Sequence, residues 1–247
     1  MKKIILLLLV AASAVSCAEL SRMAEEIDGQ PPLTQTEVVS GLKQALTIGA
    51  DSAASYLSAK DGYYGDPRVK IELPPEAKVV SEHVSKIPGG KELVEDVLLR
   101  INRSAESAAS EAAPVFANAI KSMTIRDGFE ILRGDKDAAT QYLKEETYQE
   151  LYDLYQPKIK TSIDKKIAGN ISTNQSWEKL TRQWNSVANS IVGEMANLKT
   201  IETQLDRYLT EQALEGLFLK LAKEEEKIRE DPGARVTQLL QRVFDKS

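Results

Sequence analysis

The chain predicts an all-α fold, a multi-helix bundle of amphipathic helices with short loops and no substantial sheet. Apolar residues recur at helical spacing through most of residues 33–247. The breaks between these stretches carry proline, glycine or clusters of polar residues. Only one short segment alternates as a strand would. The expected helical share is about two thirds, well above the usual third, and 42% apolar residues set the chain apart from disordered types.

The first 16 residues read as a secretory signal peptide. Met1-Lys2-Lys3 is positive, Ile4 to Val10 is apolar, and Ala11 to Ser16 are mostly small. The apolar run is shorter than the roughly 20 residues a membrane span needs. It ends on Ala14-Val15-Ser16-Cys17, which resembles a bacterial lipobox although Ala14 replaces the usual leucine. Cys17 is therefore the expected lipid-attachment residue and the new N-terminus. It is also the only cysteine, so no disulfide within the chain competes for it. Two or more acyl chains anchor a protein stably where one does so only marginally. By resemblance to Gram-negative lipoprotein sorting, Ala18 after the cysteine implies the outer membrane, with the body in the periplasm.

Residues 17–32 form the lipidated N-terminus and spacer. Leu20, Met23, Ala24 and Ile27 share one helical face before Asp28-Gly29 and Pro31-Pro32 interrupt it. The acidic Glu19, Glu25 and Glu26 favour contact with the body, or disorder, over an anionic membrane surface. Residues 33–247 are then expected to form a single helical domain. Thr34 and Glu37 make a capping box for a helix reaching about Ala59, with Val38, Leu42, Ala45, Leu46, Gly49, Ala53 and Tyr56 on one face. A loop from Lys60 to Pro75 follows, in which Val69, Ile71 and Leu73 alternate with Lys70 and Glu72.

Val80, Val84 and Ile87 predict a short helix stopped by Pro88-Gly89-Gly90. Val94 to Ala112 predict a longer one whose alanine-rich turns permit close helix approach. Pro114 opens a helix with Phe116 and Ile120, and Gly134-Asp135 ends the next. Thr147 and Glu150 repeat the capping-box spacing. Tyr148, Leu151, Tyr152, Tyr155, Ile159, Ile163 and Ile167 stay in phase across Pro157, which predicts two stacked helices or one kinked helix. Asn170 to Ser176 read as a polar turn before the stripe Trp177, Leu180, Trp184, Val187, Ala188 and Ile191. Leu214 to Ile228 form a regular helix broken by Pro232-Gly233, and Val236, Leu239, Leu240, Val243 and Phe244 form a last stripe.

Composition excludes several functions. Of 32 basic and 37 acidic residues, loss of Lys2 and Lys3 leaves 30 against 37, a net charge of −7. That surface lacks the basic footprint nucleic acids require, so no nucleic-acid partner is expected. His83 is the sole histidine and stands between Glu82 and Val84, outside any catalytic or metal-binding motif. With Cys17 committed to lipid, neither a zinc site nor any cofactor is expected. Asp135-Lys136-Asp137 lacks the glycine and the terminal carboxylate of a calcium loop, and Asp137 reads as a helix N-cap. Glu224-Glu225-Glu226 reads as a solvated face with local ion pairs.

Several local patterns coincide in order and spacing: Gly62-Tyr63-Tyr64-Gly65-Asp66-Pro67 before Leu73-Pro74-Pro75, Glu111-Ala112-Ala113-Pro114, Asp137-Ala138-Ala139-Thr140-Gln141-Tyr142, and Ala213-Leu214-Glu215-Gly216-Leu217-Phe218 with Glu224 to Arg229. Together they resemble the bacterial lipoprotein family catalogued as domain of unknown function 4197. The resemblance spans about residues 33 to 245. It implies an α-helical, usually lipid-anchored envelope protein without an established activity or catalytic residue set.

The best candidate for function is the loop carrying Tyr63, Tyr64, Asp66 and Arg68, whose aromatic, acidic and basic groups suit contact with a protein partner. The plainer reading has the tyrosines covering one end of the bundle while Asp66-Pro67 makes a turn. The expected function is a non-enzymatic protein-contact module of the envelope, held to the membrane by its lipid. A carrier of a lipid or other small apolar ligand is the alternative and requires a ligand-sized apolar cavity. A hydrolase built on paired carboxylates is a third, weaker reading.

Overall fold

The computed structural model describes residues 33–77, 88–168, 171–195, 197–202 and 204–244. The expected signal peptide, Cys17, the spacer stripe, the predicted helix at Val80 to Ile87 and His83 lie outside the described residues. Helix α1 is Gln35–Ser58, α2 Gly90–Ala109, α3 Ala112–Ser122, α4 Ile125–Arg133 and α5 Ala138–Asp164. A minimal hairpin, β1 Lys166–Ala168 and β2 Ile171–Ser172, leads into α6 Thr173–Ala188, α7 Ile191–Met195, α8 Leu205–Glu230 and α9 Gln238–Phe244. The architecture is an all-α multi-helix bundle. Among the described residues no helix is long and apolar enough to cross a membrane.

Helix α1 starts as its sequence predicts. The Thr34 hydroxyl accepts from the Glu37 amide at 3.2 Å, and the Glu37 carboxylate accepts from the Thr34 amide at 2.8 Å. A second capping box, Thr124 with Asp127, starts α4. Thr147, by contrast, is not a cap. It is buried within α5, where its hydroxyl donates to the Leu143 carbonyl, because the chain from Ala138 onward is already helical and supplies the Thr147 amide with a partner. Asp137 occupies the N-cap position of α5 without a side-chain capping bond.

The long helix α5 organises the core. Its buried residues Ala139, Leu143, Thr147, Leu151, Tyr155, Ile159 and Ile163 fall four apart. Four residues turn an α-helix through about 400°, so this row drifts by about 40° per step and winds around the helix. It meets α8 from Thr140 to Gln156 and α2 near its end. Pro157 lies inside α5 without dividing it. Helices α1 and α8 run antiparallel, since Gly49 faces Glu224 and Ile228 while Tyr56 meets Lys220. The core aromatics touch across helices, Phe116 edge-on to Phe218 at 6.0 Å and Tyr148 stacked on Phe218 at 6.4 Å.

Three further sequence readings need correction. Thr173 to Ser176 are the first turn of α6 rather than a polar turn, with Ser172 and Gln175 exchanging side-chain bonds to each other's amides. Val236 projects into solvent, so the last stripe begins at Leu239. Glu225 does not lie on a solvated face. Its carboxylate is buried and accepts from the amides of Ala139 and Thr140 and from the Thr140 hydroxyl, closing the start of α5 from another helix. Arg229 balances its charge at 2.8 Å. The other two acids of the run do form surface pairs, Glu224 with Lys227 and Glu226 with Lys223.

At the far end of α8, Arg235 donates to the carbonyls of Ile228 and Arg229, so a guanidinium closes that helix where Pro232 stops it. Glu225→Ala is expected to lower unfolding free energy by about 3 kcal/mol, because it strands a largely buried guanidinium and two helix-start amides. Urea denaturation measures the loss, and a change near zero would show that water replaces the carboxylate.

Candidate functional site

The candidate loop begins where α1 ends. Asp61 adopts a left-handed backbone with φ of 68°, and the chain folds so tightly on α1 that a Cβ on Gly62 would sit 2.4 Å from the Tyr56 carbonyl oxygen. Gly65 donates to the Asp61 carbonyl at 2.8 Å, and Val69 and Lys70 both donate to that of Asp66. Residues 59–70 are thus wound into consecutive turns. The segment after them joins no helix or sheet, and its burial alternates, Val69 and Ile71 lying inside while Glu72 is exposed. The Asn102 side chain supplies the missing strand partner: it accepts from the Ile71 amide at 2.8 Å and donates to the Ile71 carbonyl at 2.9 Å.

Two further buried side chains hold the loop. Glu106, one turn beyond Asn102 on α2, accepts from the amides of Tyr63 and Tyr64 at 3.3 Å and pairs with Arg103, which also reaches Asp61 at 2.7 Å. Asp66, only 6% exposed, receives five donors. Its Oδ1 accepts from the Arg68 amide and Nε, and its Oδ2 from Arg68 Nη2, Tyr56 Oη and Lys220 Nζ. Lys220 also lies 3.6 Å from the centroid of the Tyr56 ring. The Arg68 guanidinium, with Lys220, the Arg68 amide and Tyr56 behind it, holds the Asp66 carboxyl far below the usual carboxylate range against the opposing effect of burial.

The four predicted residues therefore divide. Tyr63 is fully buried and donates to the Ala213 carbonyl on α8 at 2.8 Å. Its ring lies so close to that helix that a Cβ on Gly216 would be 3.0 Å from Tyr63 Cε1. Burial and the neighbouring Tyr155 push its phenol well above the ordinary tyrosine value. Asp66 is equally inaccessible, so neither residue reaches a partner directly. Tyr64 stands at the surface side of the loop, its hydroxyl donating to Glu95 at 2.8 Å and its ring 4.5 Å from the Lys70 ammonium. Arg68 has a side chain 64% exposed while two of its nitrogens stay bound to Asp66.

Beside Arg68 runs an open groove of about 260 Å³, lined by Lys70 on the loop and Gln212, Glu215 and Leu219 on α8. Tyr56 and Leu219 add exposed apolar surface near it. A second open groove of about 340 Å³, between α5, α6 and the start of α8, is walled by Lys160, Glu178, Arg182 and Asp206. Two apolar cavities between α1, α5 and α8 hold only about 10 and 20 Å³. Those spaces fit about one water at most and no lipid chain. The buried carboxylates Asp66, Glu106 and Glu225 are each held by amides, hydroxyls or cations of the surrounding helices and loop.

Asn102, Glu106 and Lys220 escape a reading based on apolar periodicity. Each has a signal nonetheless, a polar side chain inside a stripe: Asn102 between Leu98, Ile101 and Ala105, Glu106 next to Ala105, and Lys220 between Leu217 and Leu221.

Because its folded-state pKa is lowered, Asp66 contributes its full stability above the unfolded carboxylate value of about 4 and loses it progressively as pH falls below that. Asp66→Asn is expected to be less stable than wild type at neutral pH and to lose less further stability between about pH 5 and about pH 2. Equal acid sensitivity in urea titrations would remove Asp66 from this role. Tyr63→Phe is expected to cost about 1 kcal/mol through its bond to Ala213. The Tyr155 hydroxyl is buried with no hydrogen-bond partner among the described residues. Tyr155→Phe should accordingly change stability by no more than about 0.5 kcal/mol, or raise it. Thermal or urea midpoints of the two variants distinguish these outcomes.

No curated protein and no solved structure matches the chain. The family model described as protein of unknown function DUF4197 matches residues 32–245. Every described residue lies inside that match, and the chain belongs to the DUF4197 family.

Proposed function

We propose that this chain is a periplasmic lipoprotein, held in the outer membrane through a lipidated Cys17, whose helical body works as a non-enzymatic protein-contact module. One observation carries the contact role. The loop at 59–73 is fixed from beneath by Asp66, Asn102 and Glu106, so Tyr64 and Arg68 stand in a set geometry beside a groove and the exposed Leu219. Pre-ordered aromatic and guanidinium groups lose little freedom when a partner docks, and Tyr and Arg are the side chains that most often dominate such contacts. Buried Tyr63 and Asp66 serve this face as supports.

The tether rests on the lipobox-like ending at Cys17 and the leader before it. Fixing the body to a membrane raises its effective concentration toward partners on the same surface, which suits a module of modest affinity.

Photo-crosslinkers placed at positions 64 and 68 in cells are expected to trap one defined protein that a crosslinker at the well-exposed Arg126 does not trap. Capture identical from all three positions would overturn the contact role. The anchor is tested separately with a labelled fatty acid, which should mark the wild type and not Cys17→Ala. Label retained by that variant, or absent from both, rejects the tether.

A further inference from the structure

Helix α7 carries three side chains in open solvent: Ile191 is 78% exposed, Val192 73% and Met195 85%. The loop that follows is held away from them. The Leu198 amide donates to the Gly193 carbonyl at 2.9 Å, and Trp184 Nε1 donates to the Lys199 carbonyl at 2.9 Å. The Asn185 amide then pairs with both backbone groups of Ile201, at 2.7 and 2.9 Å. These bonds hold residues 198–201 against α6 and α7, and among the described residues none covers Met195 or its apolar neighbours. Met123, in contrast, is 3% exposed and packed in the core.

We propose that Met195 is a methionine oxidation site and that its oxidation switches the α7 surface from apolar to polar. The oxidant is a peroxide. Hydrogen peroxide transfers one oxygen atom to the thioether sulfur, which gives up two electrons and becomes the sulfoxide, while the peroxide O–O bond breaks and water leaves. Accessibility decides which methionine reacts, because the sulfur must meet the peroxide directly. The product is a chiral, strongly polar group beside Ile191 and Val192, so the patch loses its apolar character without any change in the core. Two thiols of a sulfoxide reductase reverse the step by becoming a disulfide and releasing water.

The test treats the full-length chain with hydrogen peroxide and follows the tryptic peptides 183–199 and 122–126 by tandem mass spectrometry, with fragment ions placing the added oxygen on methionine. Met195 is expected to oxidise on the order of tenfold faster than Met123. The oxidised wild type should also elute earlier from a hydrophobic-interaction column. Met195→Leu, which keeps the other three methionines, should show no such shift. Oxidation of Met195 no faster than Met123 would overturn the site, and an equal elution shift in wild type and Met195→Leu would overturn the switch.

Discussion

Burial of a non-helical segment imposes the governing constraint on this protein. A helix satisfies its own amides, whereas the chain between Ala59 and Ala77 cannot, yet Tyr63, Val69, Ile71 and Ala77 are all packed into the core. Leaving those backbone groups without partners would cost more than the apolar contacts return. Side chains from distant helices resolve the conflict. Asn102 pairs with Ile71, Glu106 with the amides of Tyr63 and Tyr64, and Lys220 with Asp66, which in turn fixes Arg68. Each bond is unremarkable alone, and removing any of them strands a buried polar group.

The same logic applies where helices begin and end against their neighbours. Glu225 on α8 closes the start of α5, and Arg235 closes the end of α8. Helix α5 packs against α8, α2 and α3 and ties them into one apolar cluster. The buried carboxylates Glu106, Asp66 and Glu225 all take part in this stitching. At the surface the loop turns Tyr64 and Arg68 outward, beside a groove along α8.

Local signals were legible in the sequence, and long-range ones were not. The Thr34 and Glu37 capping box is read correctly because every atom involved lies within four residues. The same spacing at Thr147 and Glu150 misleads, since nothing before Thr147 breaks the helix, and Thr124 with Asp127 goes unnoticed because aspartate replaces the usual glutamate. For the candidate loop, glycines and Asp66-Pro67 reveal that the chain turns, but not where each side chain points. That depends on α2 and α8, whose contacts lie 43 and 154 positions away. Two tyrosines adjacent in sequence consequently end on opposite sides, one in the core and one at the surface.

The clamp between Asn102 and Ile71 carries a consequence for tolerance to change. It grips a single residue through both of its peptide groups, while Glu106 grips Tyr63 and Tyr64 a few residues earlier from the same helix. The run between these grips is thereby a measured span rather than spare rope. Inserting or deleting one residue there would leave one grip closing on the wrong peptide, whereas changes in side-chain chemistry at Glu72, which points to solvent, leave the gauge intact.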